Sequence, residues 1–276
     1  MILMECGLSP LDPMVLAPKL TQLTAWLDEN CRSASFEARH FKQPPFGHAY
    51  VTIDPNFQAA AASFNHNRIH LCGTRGGLEP EGLDQLIELF VTAGIRRFFV
   101  WLSPGPDMEL ARQWLRDQKF VRISRTRYPT LMHGGEPPGP VSTDLDIQEV
   151  GPKDAARARL QLGEAMSDDY LSSCGKPGFH HFMAFDADRA VAVAALARFD
   201  GLGYLTFAGT VASHRRRGAQ QAFIARRIAM AQAANCSLIL SETLTVLRDS
   251  FANLQRAGFH EIYEKEVYEW TAQAAG

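Results

Sequence analysis

A change of period constrains this chain's fold more than any other feature. Phe179 to Phe185, Ala190 to Phe199 and Leu202 to Val211 read as three strands, separated only by Asp186-Ala-Asp188 and Asp200-Gly-Leu-Gly203. Breaks this short favour antiparallel hairpins. From Gly218 to Ala234 the repeat becomes helical: Ile224, Ile228 and Ala231 share one face, and Arg226, Arg227 and Gln232 are expected to reach water. A compact apolar strand, Ser237 to Leu240, comes next. A short helix from Ser250 to Ala257 is closed by Gly258, and an extended segment runs from Phe259 to Trp270.

Upstream, Leu145 to Val150 alternates as a strand. Lys153 to Gly163, with Pro152 near its start, suits a helix with Ala156, Leu160 and Gly163 inward. The order is therefore β-α-β-β-β-α-β-α-β, a mixed sheet with helices packed against it. The first half repeats the end of this pattern. Arg97 to Trp101, the helical Met108 to Gln118 and Lys119 to Ile123 match the last strand, helix and strand of the second half. Lys119-Phe120-xx-Ile123 keeps the register of Gly258-Phe259-xx-Ile262. Met132-His-Gly-Gly-Glu-Pro-Pro-Gly-Pro140 is rich in turn formers, and Pro lacks an N–H while Gly loses backbone entropy on ordering. This places a seam near residue 138, with domains at 1–138 and 139–276. A length of 276 residues accommodates two domains.

Between strand and helix lies Val211-Ala-Ser-His-Arg-Arg-Arg-Gly-Ala-Gln220. The first turn of a helix leaves N–H groups without backbone partners, and its dipole favours negative charge. Gly218 would let a bulky pyrophosphate approach the backbone, and Arg215, Arg216 and Arg217 add positive charge. On spacing alone the run is either an anion site or a solvated basic face ahead of a helix. The net charge of −2 supplies no general positive field, so any anion recognition must be local, and a nucleic-acid partner is poorly supported.

Arg215-Arg-Arg-Gly218-Ala-Gln220 resembles the central motif of the GNAT superfamily of acyl-coenzyme A-dependent N-acyltransferases, (Gln/Arg)-x-x-Gly-x-(Gly/Ala). It departs from that motif only at Gln220. Arg256-Ala-Gly-Phe259 stands where the family carries its Arg/Lys-x-Gly-Phe exit, and the resemblance spans about residues 143–270. It implies an α/β (α+β) fold of tandem GNAT-like domains, each a mixed, mostly antiparallel sheet flanked by helices. The first domain is expected to be degenerate, because Arg75-Gly-Gly77 is followed by Leu78-Glu-Pro-Glu-Gly82, which would put acid beside a phosphate. The activity implied is transfer of the acetyl group of acetyl-CoA to an amine, on a small molecule or a peptide. The alternative is an acyl-CoA-binding protein without catalysis.

By the same resemblance, the backbone N–H groups from Arg216 through Ala219 to Gln220 carry the pyrophosphate. Phe207, Thr210 and Val211 line the pantetheine arm where their strand splays from Leu238 to Ser241, and Asn253 either faces the cofactor or solvent. The acidic residue that many members place before the turn is absent from Tyr204 to Thr210, and Leu254 stands where a tyrosine is common. Glu242 as base or ammonium ligand, Ser250 as proton donor or helix cap, and Tyr263 as proton donor or packed side chain are the substitutes.

His180 and His181 occupy consecutive strand positions and so face opposite sides of the sheet, which argues against a metal pair. Cys6, Cys31, Cys72, Cys174 and Cys236 are scattered singly, as reduced cytoplasmic thiols would be. No segment reads as a signal peptide or a membrane span. A monomer or a homodimer is expected.

Overall fold

The computed structural model describes residues 12–32, 36–57, 64–71, 77–125, 127–136, 138–139 and 141–272; Cys6, Cys72, Arg75, Gly76, Pro137, Pro140 and the first residues of the chain lie outside these. Two compact units are formed. The first comprises Met1–Asp28, Ser33–Tyr128 and Ile262–Gly276, and the second Glu29–Arg32 and Pro129–Glu261.

In the first unit the order is α1 (Pro13–Cys31), β1 (Glu37–Phe41), β2 (Ala49–Ile53), β3 (Arg68–Leu71), α2 (Pro80–Thr92), β4 (Arg97–Leu102), α3 (Met108–Asp117) and β5 (Val121–Arg122). Strands β1 to β3 pair antiparallel and β3 pairs parallel with β4. Leu83, Leu86 and Phe90 of α2 and Ala111, Trp114 and Leu115 of α3 bury their faces with Val51, Ile69, Leu71, Phe98 and Val100 of the sheet. The repeat of three or four residues along each helix is what gathers these side chains into one stripe.

The second unit contains β6 (Tyr128–His133, entering it from Pro129), β7 (Asp146–Val150), α4 (Pro152–Leu162), α5 (Asp168–Ser173), β8 (Phe179–Asp186), β9 (Arg189–Phe199), β10 (Leu202–Thr210), α6 (Ala219–Ala233), β11 (Leu238–Glu242) and α7 (Arg248–Arg256). Its strands run in the spatial order β6, β11, β10, β9, β8, β7, with β10 and β11 parallel and the others antiparallel. Every residue from Ala190 to Ala197 is buried. The reason is that both faces are covered: Ala192, Ala194 and Leu196 pack with Phe223, Ile224 and Ile228 of α6, and Val193 and Ala195 pack with Ala155, Ala158 and Tyr170 of α4 and α5. A strand covered on both faces has no alternation to show.

The units share a connectivity. Helix, two antiparallel strand pairs, a parallel pair bridged by a helix, and a further helix and strand occur in each. The last strand, β12 (Phe259–Thr271), starts in the second unit and ends in the first, where it pairs with β4 and β5.

Several expectations change. The turn-rich stretch from Met132 does not stop the preceding strand at once, since Met132 and His133 belong to β6. In α4 the inward residues are Ala155, Ala158 and Leu162, not the expected Ala156, Leu160 and Gly163; Leu160 is 95% exposed, so the buried face lies about one residue away from the expected one. Arg227 is buried, not solvated. It stands four residues after Phe223 and four before Ala231, on the inward stripe of α6. The short helix α5 carries no periodic signal; it is capped by Ser167, whose hydroxyl accepts from the Tyr170 N–H.

Candidate functional site

Strand β10 sets the geometry. Its parallel pairing with β11 runs from Leu202 opposite Leu238 to Leu205 opposite Ser241 and ends there, while its pairing with β9 continues to Thr210. Past Leu205, β10 therefore has, among the described residues, one partner strand in place of two. The departure coincides with a bulge: Thr206 faces Ala195 and Gly209 faces Val193, so Phe207 and Ala208 together oppose Ala194. Phe207 takes φ +52°, a left-handed conformation uncommon for a bulky side chain. Gly209 is required by a close approach, because a Cβ there would lie 2.0 Å from the Ala165 carbonyl oxygen.

Beyond Thr210 the chain makes a short 3-10 turn, Ala212–His214, and then reverses through Arg216 (φ 65°) and Gly218 (φ 83°) into α6. Among the described residues, the backbone N–H groups of Arg216, Arg217, Gly218, Ala219 and Gln220 meet no acceptor. Donors left open at the start of a 15-residue helix suit a phosphate.

The three arginines divide. Arg215 and Arg216 are exposed and form no ion pair among the described residues. Arg217 is committed: Nη1 lies 2.6 Å from Asp186 Oδ2, Nε donates to Asp144 Oδ1 at 3.2 Å, and Nη2 also binds Asp144. Its guanidinium holds both carboxyls below the ordinary range. His214 joins the cluster through Nε2, 3.1 Å from Asp186 Oδ2, and its Nδ1 is 2.8 Å from the Ser213 hydroxyl. Thr143 donates to the Arg217 carbonyl at 2.7 Å, and Gln220 Nε2 donates to Thr210 Oγ1 at 3.0 Å. The side chain at the one position that departs from the family motif thus ties the helix start to the strand end.

Gly218 has a reason independent of any ligand. A Cβ there would sit 2.5 Å from the Ser142 carbonyl oxygen, and the residue is left-handed.

Glu242 is the first residue of β11 past its last pair with β10. Oε1 accepts from Thr130 Oγ1 at 2.6 Å and Oε2 from the Tyr204 hydroxyl at 3.3 Å, an orientation fixed from two strands. Ser250 is not the cap of α7: the N-cap is Leu247, and the Ser250 hydroxyl accepts from Thr243 Oγ1 at 3.3 Å. Asn253 Oδ1 accepts from Arg256 Nη2 at 2.5 Å. Tyr263 is buried in the part of β12 that belongs to the first unit, whereas Glu242, Ser250, Asn253 and the arginine turn belong to the second.

Val211 continues the line of β10, its N–H donating to the Val191 carbonyl at 2.9 Å. A shallow depression lined by Arg159, Gly163, Met166 and Asp168 involves none of these residues.

His180 and His181 do face opposite ways: His180 Nδ1 is 2.8 Å from Glu149, and the buried His181 is 3.0 Å from the Ser173 hydroxyl. Burial lowers the His181 pKa to about 4. Among the described residues no three His, Cys, Asp or Glu side chains gather as metal ligands, Cys31, Cys174 and Cys236 are free thiols, and no helix is long and apolar enough to cross a membrane. Asp144, Asp186, Tyr204, Thr130 and Arg227 escaped the sequence reading, since each matters through a partner distant in sequence.

No protein-family model matches the chain, and no curated protein matches it in sequence. Its fold is that of GNAT proteins. A GCN5-related N-acetyltransferase from Kribbella flavida superposes with a TM-score of 0.66 at 16% identity, covering 95% of this chain and 96% of that one. A tandem GNAT protein from the clavulanic acid biosynthesis pathway gives 0.58 at 9% identity over 92% and 89%. A GCN5-related N-acetyltransferase from Sphaerobacter thermophilus gives 0.55 at 11% identity over 82% and 81%.

Proposed function

We propose that the chain is a GNAT-type N-acyltransferase that uses acetyl-CoA to acetylate an amine of a small molecule or peptide. One observation carries the reading. The parallel pair β10–β11 ends at Leu205 and Ser241, on the same strand that leads into a turn with five open N–H groups and two uncommitted arginines. The turn is suited to a pyrophosphate, and the unpaired edge of Phe207, Thr210 and Val211 to the amide-bearing arm. Acetyl-CoA would supply the acyl group there: the amide C–N bond forms as the thioester C–S bond breaks, and coenzyme A departs as the thiol, carrying the proton the amine gives up.

The chain's own residues have three tasks. Arg215 and Arg216, with the N–H groups through Gly218, Ala219 and Gln220, bind the phosphates, while Arg217 shapes the turn. Glu242 holds the substrate ammonium or takes its proton, because an amine attacks only when neutral. Ser250 is the candidate donor to the departing thiolate and Asn253 the candidate contact on α7; Tyr263, the other donor expected from the resemblance, lies in the first unit and is given no part. The first unit is assigned as a degenerate GNAT-like domain. The working arrangement is a cytoplasmic monomer or homodimer without a metal.

A second reading, an acyl-CoA-binding protein without turnover, is favoured by Glu242 already accepting from Thr130 and Tyr204. Free-thiol release from acetyl-CoA, measured across polyamines, amino acids, aminoglycosides and peptides, separates the two. An amine-dependent signal that falls in Glu242→Gln supports transfer; tight binding with no signal from any amine supports the second reading.

A further inference from the structure

We propose, resting on the acyl-CoA reading above, that Arg227 is a positioning residue that holds the β10 bulge in the shape that receives the cofactor's pantetheine arm. Arg227 is 2% exposed, and its guanidinium touches no carboxylate among the described residues. Its Nη1 donates to two strand carbonyls, Ala195 on β9 at 3.0 Å and Thr206 on β10 at 3.2 Å, and its Nε donates to the Phe223 carbonyl of its own helix at 3.1 Å.

Those two carbonyls are the last regular pair before the bulge. Where two residues oppose one, ladder hydrogen bonds are lost, and a buried carbonyl without a donor is costly. From the helix, Arg227 supplies a donor to one carbonyl on each strand at the near end of the irregularity. Thr206 is also the first residue past the end of the β10–β11 pairing, so the clamp acts at the fork. Next to it, Phe207 is held left-handed, a state that persists only where its surroundings impose it.

Burying a guanidinium against carbonyls alone is unfavourable, and desolvation lowers the Arg227 pKa to about 9. An apolar residue of similar length would fill the same space at lower cost. The distinguishing feature of arginine here is that one nitrogen reaches two carbonyls while another anchors to the helix.

The test uses the full chain and two probes, coenzyme A and adenosine 3′,5′-bisphosphate, which has the nucleotide end and lacks the arm. Arg227→Met is expected to bind the bisphosphate as the wild type does and coenzyme A at least about tenfold more weakly. Arg227→Lys, which keeps the charge but presents a single ammonium, is expected to fall between them and covers the case in which the methionine variant does not fold. Equal affinity of either folded variant and the wild type for coenzyme A overturns the proposal, as does an equal loss for both probes. A wild-type protein that binds neither probe overturns the acyl-CoA reading itself.

Discussion

Arg215, Arg216 and Arg217 are consecutive, and their sequence does not distinguish them. Asp144 and Asp186 do, by taking Arg217 out of the solvent-facing set. Arg215→Ala and Arg216→Ala are accordingly expected to leave the thermal midpoint unchanged while weakening coenzyme A binding. Arg217→Ala is expected to lower the midpoint as well, since the turn loses its tie to Asp144 and Asp186; melting curves beside calorimetric titrations read the difference. His181 gives a pH dependence at the same scale. Its native pKa of about 4 lies below the ordinary 6.5, so between those values the unfolded chain holds a proton that the native one does not. Stability should therefore fall as pH drops from 6.5 to 4, by about 3 kcal/mol from this group. Urea unfolding of wild type and His181→Gln at pH 7 and 4.5 checks it: the variant should lose less between the two, and an equal loss would show that His181 does not titrate as described.

Elements whose residues announce their own environment were legible in the sequence. The strands from Phe179 to Thr210 and the helix after Gly218 fall within a residue or so of their expected ends, because apolar spacing and short turns act locally. The bulge was not legible: Phe207 carries no turn signal, and the clamp beneath it comes from Arg227, a residue type that reads as solvated. The inward face of α4 was missed because alanines lie on both sides of the helix and Leu160 is the large apolar residue that points outward. Gly218 was legible as a necessary glycine, but for a pyrophosphate, whereas the Ser142 carbonyl already forbids a side chain. Loss of binding in a Gly218 variant would thus not isolate a ligand contact. Gly209→Ala makes a cleaner statement about the element: the Cβ would meet the Ala165 carbonyl, and a loss of roughly 1–3 kcal/mol is expected from the forced shift of backbone. Unchanged denaturant midpoints would mean that the segment at Ala165 yields freely.

At the scale of the molecule, the sequence showed a repeat of strand, helix and strand, and the structure extends it to a shared order and pairing in both units. It could not show where the final strand goes. Pairing partners far apart in sequence leave no local mark, and β12 carries Ile262–Thr271 into the first unit. A fragment of residues 1–138 lacks that strand and leaves β4 with an open edge, so it is expected to aggregate or remain partly unfolded when expressed alone. Size-exclusion chromatography and circular dichroism decide this, and a monomeric, cooperatively melting fragment would contradict the arrangement. On the proposed function, one turn, in the second unit, holds the nucleotide end of acyl-CoA. Isothermal titration of the full chain with acetyl-CoA tests it most directly. One site per chain is expected, weakened at least about tenfold by the double substitution Arg215→Ala and Arg216→Ala. Absence of binding, or binding that the double substitution leaves intact, would contradict it.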